Sequence, residues 1–218
     1  ALSEAHMREL LAALRGCAAD ADVRAIILAA NGPVFSAGHD FADMAERDLA
    51  GMRRLIGTCT ELMLAVARVP QPVVARVHAL ATAAGCQLVA SCDLAVAAEE
   101  AQFATPGGRG GWFCHTPMVA VARAVGRKRA LELLFTGDPI DARTALAWGL
   151  VNRVVPRERL SDETEALARA ASRGSAASKA LGKQTFYDTV ERTVEDAYAR
   201  AGEVMAASAV GPDGREAM

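Results

Sequence analysis

Two short stretches of this chain hold the residue types best suited to chemistry. One is Phe35-Ser36-Ala37-Gly38-His39-Asp40. The other is His78-Ala79-Leu80-Ala81-Thr82-Ala83-Ala84-Gly85-Cys86-Gln87-Leu88. Their main resource is main chain rather than side chain. Gly38 can adopt a positive φ or let the backbone approach a ligand closely. Asp40, at the start of a helical turn, can cap that turn and fix the loop, so that an amide N–H is aimed at an incoming oxygen. In the second stretch a strand ends and a helix of very small residues begins. The first turn of such a helix offers unpaired N–H donors and a partial positive charge, which suits an oxyanion. Taken singly, each stretch has a plainer explanation: a tight strand-to-helix connection, and small residues that let a helix pack closely.

Both stretches must be positioned by the elements around them. Ser3 is a candidate N-cap for a helix with Leu10, Leu11 and Leu14 at helical spacing, closed by Gly16 to Asp22. Val23 to Ala29 is short, apolar and β-branched, which predicts a buried strand. A loop follows, then one long helical pattern to about Val69, broken by Pro70-Gln71-Pro72. Val73–Val77 and Leu94–Ala97 predict further strands, with a buried helix over Ala83–Ser91 between them. Beyond a glycine-rich loop, helical stretches are predicted around Val119–Val125, Arg129–Phe135 and Ala142–Trp148, with a strand at Val151–Val155. From Arg157 the pattern is helical, with polar breaks at Arg173–Ser175. Alternating helix and strand predicts an α/β layer architecture. Apolar residues from Met205 to Val210 find no later partner in the chain, which suggests a role in oligomerisation.

Composition narrows the function classes. The chain has 218 residues, 52% of them hydrophobic and 23% charged, with a formal net charge of -2. That suits one ordinary domain, gives no electrostatic footprint for nucleic acid, and offers no dense basic block or apolar span for a membrane. Five cysteines without a CxxC pair argue for free thiols in a reducing compartment, and a cytoplasmic location is expected. His6 and His78 show no metal-ligand spacing, so no metal is expected. A serine hydrolase is disfavoured, because there is no G-x-S-x-G elbow and Ser36 and Ser91 lack evident His and Asp partners.

Together, the two stretches resemble the paired oxyanion-hole motifs of the enoyl-CoA hydratase/isomerase, or crotonase, superfamily. Asp93-Leu94-Ala95-Val96-Ala97 with Phe103-Ala104-Thr105-Pro106 is similar to the next signature of that family. Phe135-Thr136-Gly137-Asp138-Pro139-Ile140, Gly149-Leu150-Val151 and Val154-Val155 are similar to a later one. The resemblance runs along essentially the whole chain. It is strongest to a subgroup called enoyl-CoA hydratase domain-containing protein three, on the FS-x-GHD loop, the ATAAGCQLVASCD segment, the FATPG run and Leu181-Gly182-Lys183…Thr185-Phe186-Tyr187. The resemblance implies an α/β fold, a ClpP-like spiral of ββα units over 1–155. A helical C-terminal region over 156–218 would assemble a homotrimer or a homohexamer. It implies a small-molecule acyl-CoA ligand and no tightly bound cofactor, with coenzyme A present only as part of the thioester. The thioester carbonyl would lie between the main-chain N–H groups of His39 and Ala84, with Ala37, Asp40 and Phe41 lining the coenzyme A side. Relatives carry strands before the first residue and a lysine-containing segment after the last, so the chain is expected to be part of a longer one.

The sequence departs from the family at the acid–base groups. Typical hydratases place two glutamates over the substrate, and these positions fall at Gln87 and Gly107. Neither residue accepts a proton at neutral pH, and loss of positioned acid–base help costs roughly 10²–10⁴ in rate. His115, where the family's active-site helix begins, is a candidate replacement, since imidazole titrates near neutrality. Its plainer reading is a residue near a helix N-terminus facing solvent. Gln87 is expected to hydrogen-bond a substrate or a water. Two functions follow: an enzyme of the hydratase/isomerase type with unusual acid–base groups, or a non-catalytic acyl-CoA-binding or scaffolding trimer.

Overall fold

The computed structural model describes residues 1–217. The chain runs α1 (Glu4–Ala19), β1 (Ile26–Ala29), α2 (Phe41–Met44), α3 (Leu49–Arg68), β2 (Val73–Val77), β3 (Ala81–Thr82), α4 (Ala84–Ser91), β4 (Leu94–Ala98) and β5 (Gln102–Ala104). It continues through α5 (Pro117–Val125), α6 (Arg127–Thr136), β6 (Ile140–Asp141), α7 (Ala142–Trp148), β7 (Arg153–Val155), α8 (Leu160–Ala171), α9 (Ala176–Thr189), α10 (Val194–Ala209) and α11 (Pro212–Ala217), with 3₁₀ turns at Pro106–Gly110 and Arg157–Arg159. The predicted α/β alternation is what forms.

Four parallel strands make the main sheet, in the order β1-β2-β4-β7. Parallel neighbours require crossovers, which the helices supply. The sheet is buried on both faces, and side-chain alternation shows how. Val73, Ala75 and Val77 of β2 and Ala95 and Ala97 of β4 join the large core with Met7, Leu11, Leu55, Leu62 and Val66 of α1 and α3. Val74, Val96 and Ala98 point the other way, onto Leu160 and Ala168 of α8. A smaller sheet, β3-β5-β6, carries one end of the candidate site, with β3 and β5 parallel and β5 and β6 antiparallel.

Three boundaries differ from the sequence expectation. β1 starts at Ile26 rather than Val23, because its partner strand cannot start sooner. Pro70 and Pro72 have no amide to give a ladder, and Ile26 pairs with Val73. The single long helix predicted to Val69 is two, since Asp48 caps α3 by accepting the Gly51 N–H at 2.7 Å. α1 runs through Gly16 to Ala19.

α9 is tied to the body by a buried polar group. Lys183 Nζ donates to the carbonyls of Val66 and Gln71, both at 2.9 Å, and to Asp93 Oδ2 at 2.6 Å. The Tyr187 hydroxyl donates to Asp93 Oδ1 at 2.7 Å, and the Val73 N–H donates to Asp93 Oδ2 at 2.7 Å. Three acceptors satisfy the ammonium's three donors. Burial pulls the Lys183 pKa down, and the facing Asp93 carboxylate opposes that shift. Elsewhere α9 and α10 bury no residue. Phe186, Val190, Val194, Tyr198 and Met205 stand exposed along them, the last two at 77% and 75%.

Candidate functional site

The loop of residues 35–40 lies alongside β3. Phe35 and Ser36 N–H donate to the Leu80 carbonyl at 2.9 and 3.2 Å, and Thr82 N–H donates to the Ser36 carbonyl at 2.9 Å. These bonds bring the two sequence motifs together. Gly85, in the first turn of α4, makes the contact tight. A Cβ there would sit 2.5 Å from the Ser36 carbonyl oxygen. Gly38 has φ +85°, and a Cβ on it would lie 3.2 Å from the Ala84 nitrogen and 3.0 Å from Ala83 Cβ. The peptide leading into His39 therefore rests against the peptide leading into Ala84.

The hydrogen bonding leaves both amides free. Leu2 N–H donates to the Gly38 carbonyl at 2.7 Å, and Asp40 N–H donates to the Leu2 carbonyl at 3.2 Å. Leu2 thus bridges the residues flanking His39 and leaves the His39 amide unused. On the other side, Ala83 N–H donates to the Ala104 carbonyl at 2.9 Å. Ala83 has φ +50° and ψ −119°, and is the one non-glycine residue with positive φ among the described residues. Such a conformation costs on the order of 1–3 kcal/mol and is held only when its surroundings dictate it. It sets the direction of the Ala84 N–H at the start of α4. The first helical bond is Gln87 N–H to the Ala83 carbonyl, at 3.0 Å. Ala84 therefore occupies the orphan first turn. Among the described residues, neither the His39 nor the Ala84 N–H donates to a protein acceptor.

Unpartnered buried polar atoms gather on the same segments. They are both ring nitrogens of His39, Thr82 Oγ1, Gln87 Oε1 and Thr105 Oγ1; the other such atom among the described residues is Gln71 Oε1. Native chains leave few buried polar atoms unpaired, and each one asks for a reason. Gln87 is buried one turn along α4 from Ala84. The His39 ring is buried, with its centroid 6.4 Å from that of Trp112. Burial pulls its pKa below the ordinary imidazole value, while the Leu2 carbonyl and the Asp43 carboxylate oppose that shift.

The remaining sequence candidates fall at the margins. Ala37 and Phe41 are exposed on either side of the buried Gly38 and His39. Asp40 accepts the Ala42 N–H at 3.0 Å and caps α2, as its type and position predicted. Gly107 opens the 106–110 turn, where a Cβ would lie 2.2 Å from the Trp112 carbonyl oxygen and 2.9 Å from Cys114 Sγ. No side chain fits there in this loop conformation. His115 is exposed on the turn before α5, and its ring packs on Phe113 with centroids 5.3 Å apart. Arg109 forms an exposed 3.0 Å ion pair with Asp138. All five cysteines are free, and burial pushes the Cys86 and Cys92 thiols up to about 12. Among the described residues, no three metal-ligating side chains gather and no helix is long and apolar enough to cross a membrane. Sequence reasoning gave Thr82 and Thr105 no role, although both lie inside the motifs it used. Their burial depends on the pairing of β3 with β5, two short strands it did not predict.

The chain belongs to the enoyl-CoA hydratase/isomerase family, whose model matches residues 1–211, and its fold is that of the crotonase superfamily. Within that family it is similar to the human protein named enoyl-CoA hydratase domain-containing protein 3, mitochondrial. The two are 45% identical over 99% of this chain and 72% of that protein. The mouse protein of the same name is 46% identical over the same shares. The crystal structure of the human domain-containing protein 3 superposes with a TM-score of 0.95 at 44% identity, covering 99% of this chain and 86% of that one. A Mycobacterium smegmatis enoyl-CoA hydratase structure gives 0.96 at 49% identity, covering 99% and 84%.

These relatives correct one expectation. A cytoplasmic location was inferred from free cysteines, yet the mouse, Xenopus and human relatives are all named mitochondrial. Unpaired thiols mark a reducing environment, and that alone does not single out the cytosol.

Proposed function

We propose that this protein binds an acyl-CoA thioester with its carbonyl oxygen between the N–H groups of His39 and Ala84, and stabilises the enolate formed there. The observation that carries this is the pair of unused amides on segments pressed together at Gly38 and Ala84. As the α-proton leaves, or a nucleophile adds at the β-carbon, charge moves onto that oxygen. Preorganised donors act most strongly on it at the transition state. The strained Ala83 fits this reading, since a site that holds donors ready has a use for strain. Ala37, Asp40 and Phe41 flank the entry and would lie along the coenzyme A moiety. Gln87 would hydrogen-bond the acyl group or a water through its side-chain amide. No tightly bound cofactor or metal is part of the scheme. The exposed apolar side chains of α9 and α10 would be covered by further copies of the chain, as a homotrimer or homohexamer.

Gln87 and Gly107 favour a second reading, an acyl-CoA-binding trimer without catalysis. The two readings separate in one experiment. Butyryl-CoA is titrated calorimetrically, and the bound thioester C=O stretch is recorded by difference infrared spectroscopy. Deuterium uptake at the α-carbon is then followed in D₂O. Binding with a lowered C=O stretch and α-exchange supports an enzyme; the same binding and stretch without exchange supports the scaffold. Failure to bind, or an unshifted C=O stretch, rejects the two-amide site.

A further inference from the structure

The scheme above uses only the main chain of His39, yet the ring of that residue is 9% exposed with neither nitrogen hydrogen-bonded. A buried imidazole without partners is uncommon, and here it belongs to the residue whose amide faces the proposed thioester oxygen. The other titratable side chains of the two motif segments are accounted for. Asp40 caps α2. His78 Nε2 sits 2.9 Å from the Gly32 carbonyl at the exposed end of β2. The Cys86 thiol is pushed up to about 12 by burial. Gln87 cannot take a proton, and Gly107 has no room for a side chain that could. Nearby, His115 is exposed and packs on Phe113, whereas Trp112 from the same loop brings its ring to within 6.4 Å of His39.

We propose that His39 serves this site twice, with its amide holding the thioester oxygen and a ring nitrogen taking the α-proton of the acyl chain. The inference rests on the acyl-CoA reading given above. In the step, the α-C–H bond breaks and its electron pair forms a C=C bond to the carbonyl carbon. The carbonyl π pair moves to the oxygen between the amides, and the proton goes to the imidazole. Return of the proton to carbon regenerates the neutral ring, so no oxidant or reductant is needed.

The surroundings suit a neutral base. Asp43 on α2 is the charged group that faces the ring. Its carboxylate is itself occupied, by the Glu4 N–H at 2.8 Å and by Arg47 Nη2 at 2.7 Å, while Glu4 on α1 pairs with Arg47 and Arg8. Burial keeps the imidazole deprotonated and competent at neutral pH, so exchange should fall only in acid, below the ordinary histidine value of ~6.5.

The test uses α-deuterium exchange of butyryl-CoA in D₂O with wild type, His39→Ala and the near-isosteric His39→Gln. Both substitutions keep the amide. Each variant is expected to retain the dissociation constant and the lowered thioester C=O stretch. Each should lose about 10²–10⁴-fold in exchange rate, and added imidazole should partly restore the alanine variant. The wild-type rate should show an acid limb that the variants lack. Variants that exchange at the wild-type rate overturn the proposal, and so does a wild type that binds and shifts the C=O stretch without exchanging. Loss of binding in both variants assigns the ring to packing and overturns it too. A wild type that binds no acyl-CoA overturns the acyl-CoA reading as well.

Discussion

The first turn of α4 and the two helices α9 and α10 are settled in opposite ways within one chain. Around α4, backbone meets backbone. Gly85 has no room for a methyl group, and Ala84 to Val89 are all buried. Along α9 and α10 no residue is buried, and Tyr198 and Met205 face outward. The hydrophobic term near α4 is satisfied by the chain itself, whereas near α10 it is left for another surface to satisfy. One polar group links the two regions. Lys183 and Tyr187 reach from α9 to Asp93, which follows α4 and also holds the first amide of β2.

Removing that link should have the largest effect. Lys183→Met leaves the Asp93 carboxylate largely buried without its cation, a loss of about 3–5 kcal/mol for broken buried pairs. Tyr187 and the Val73 amide still donate to it, so the lower end is expected. Chemical denaturation should show the loss, and limited proteolysis should cut near residues 172–176 first if α9 has come away. An unchanged midpoint would mean that α9 is held by its apolar contacts instead.

Gly85→Ala presses on the other region. The added methyl meets the Ser36 carbonyl, and overpacking of this kind costs typically about 1–3 kcal/mol. Because the displaced atoms belong to the loop that carries His39, the lowered C=O stretch of bound butyryl-CoA should vanish in a variant that still folds. A smaller effect is expected in acid. Arg47 beside Glu4 and the Glu4 amide beside Asp43 hold those two carboxyls below their ordinary values. Their contribution is full above the unfolded carboxylate range of about 3.9–4.3 and is lost as pH falls through the lower folded values. The Glu4→Gln/Asp43→Asn double variant should therefore show a shallower loss of melting temperature between neutrality and acid than wild type. The smallest effect on the protomer is expected from Tyr198→Ser with Met205→Ser, within about 0.5 kcal/mol for exposed positions. The same pair should lower the mass seen by light scattering if α10 is an interface. Unchanged mass would leave α10 as plain surface.

Much of the fold was legible because its signals are local. β2 and β4 are short β-branched or alanine-rich runs bounded by breakers, and Gly149 stops α7 where the pattern predicts. The meeting of the 35–40 loop with α4 was legible only through family resemblance, since no local signal ties Gly38 to Ala84. The Asp93, Lys183 and Tyr187 group was not legible, although all three residues sit in recognised motifs. They lie 90 or more residues apart in sequence, and charge alone does not say which lysine is buried. The split of the predicted long helix turned on Asp48, one capping residue inside an otherwise continuous helical pattern.

Gly107 bears on how this chain can change. Its turn is wound so closely that the Trp112 carbonyl fills the space a side chain would take. Putting glutamate back at that position would collide with the backbone before it could act on anything. The loop would first have to be rebuilt at several positions, including Trp112 and Cys114. Reversion to a two-glutamate ancestor by single steps is thus barred by sterics, and any new chemistry here is more readily reached through the groups already around the pocket.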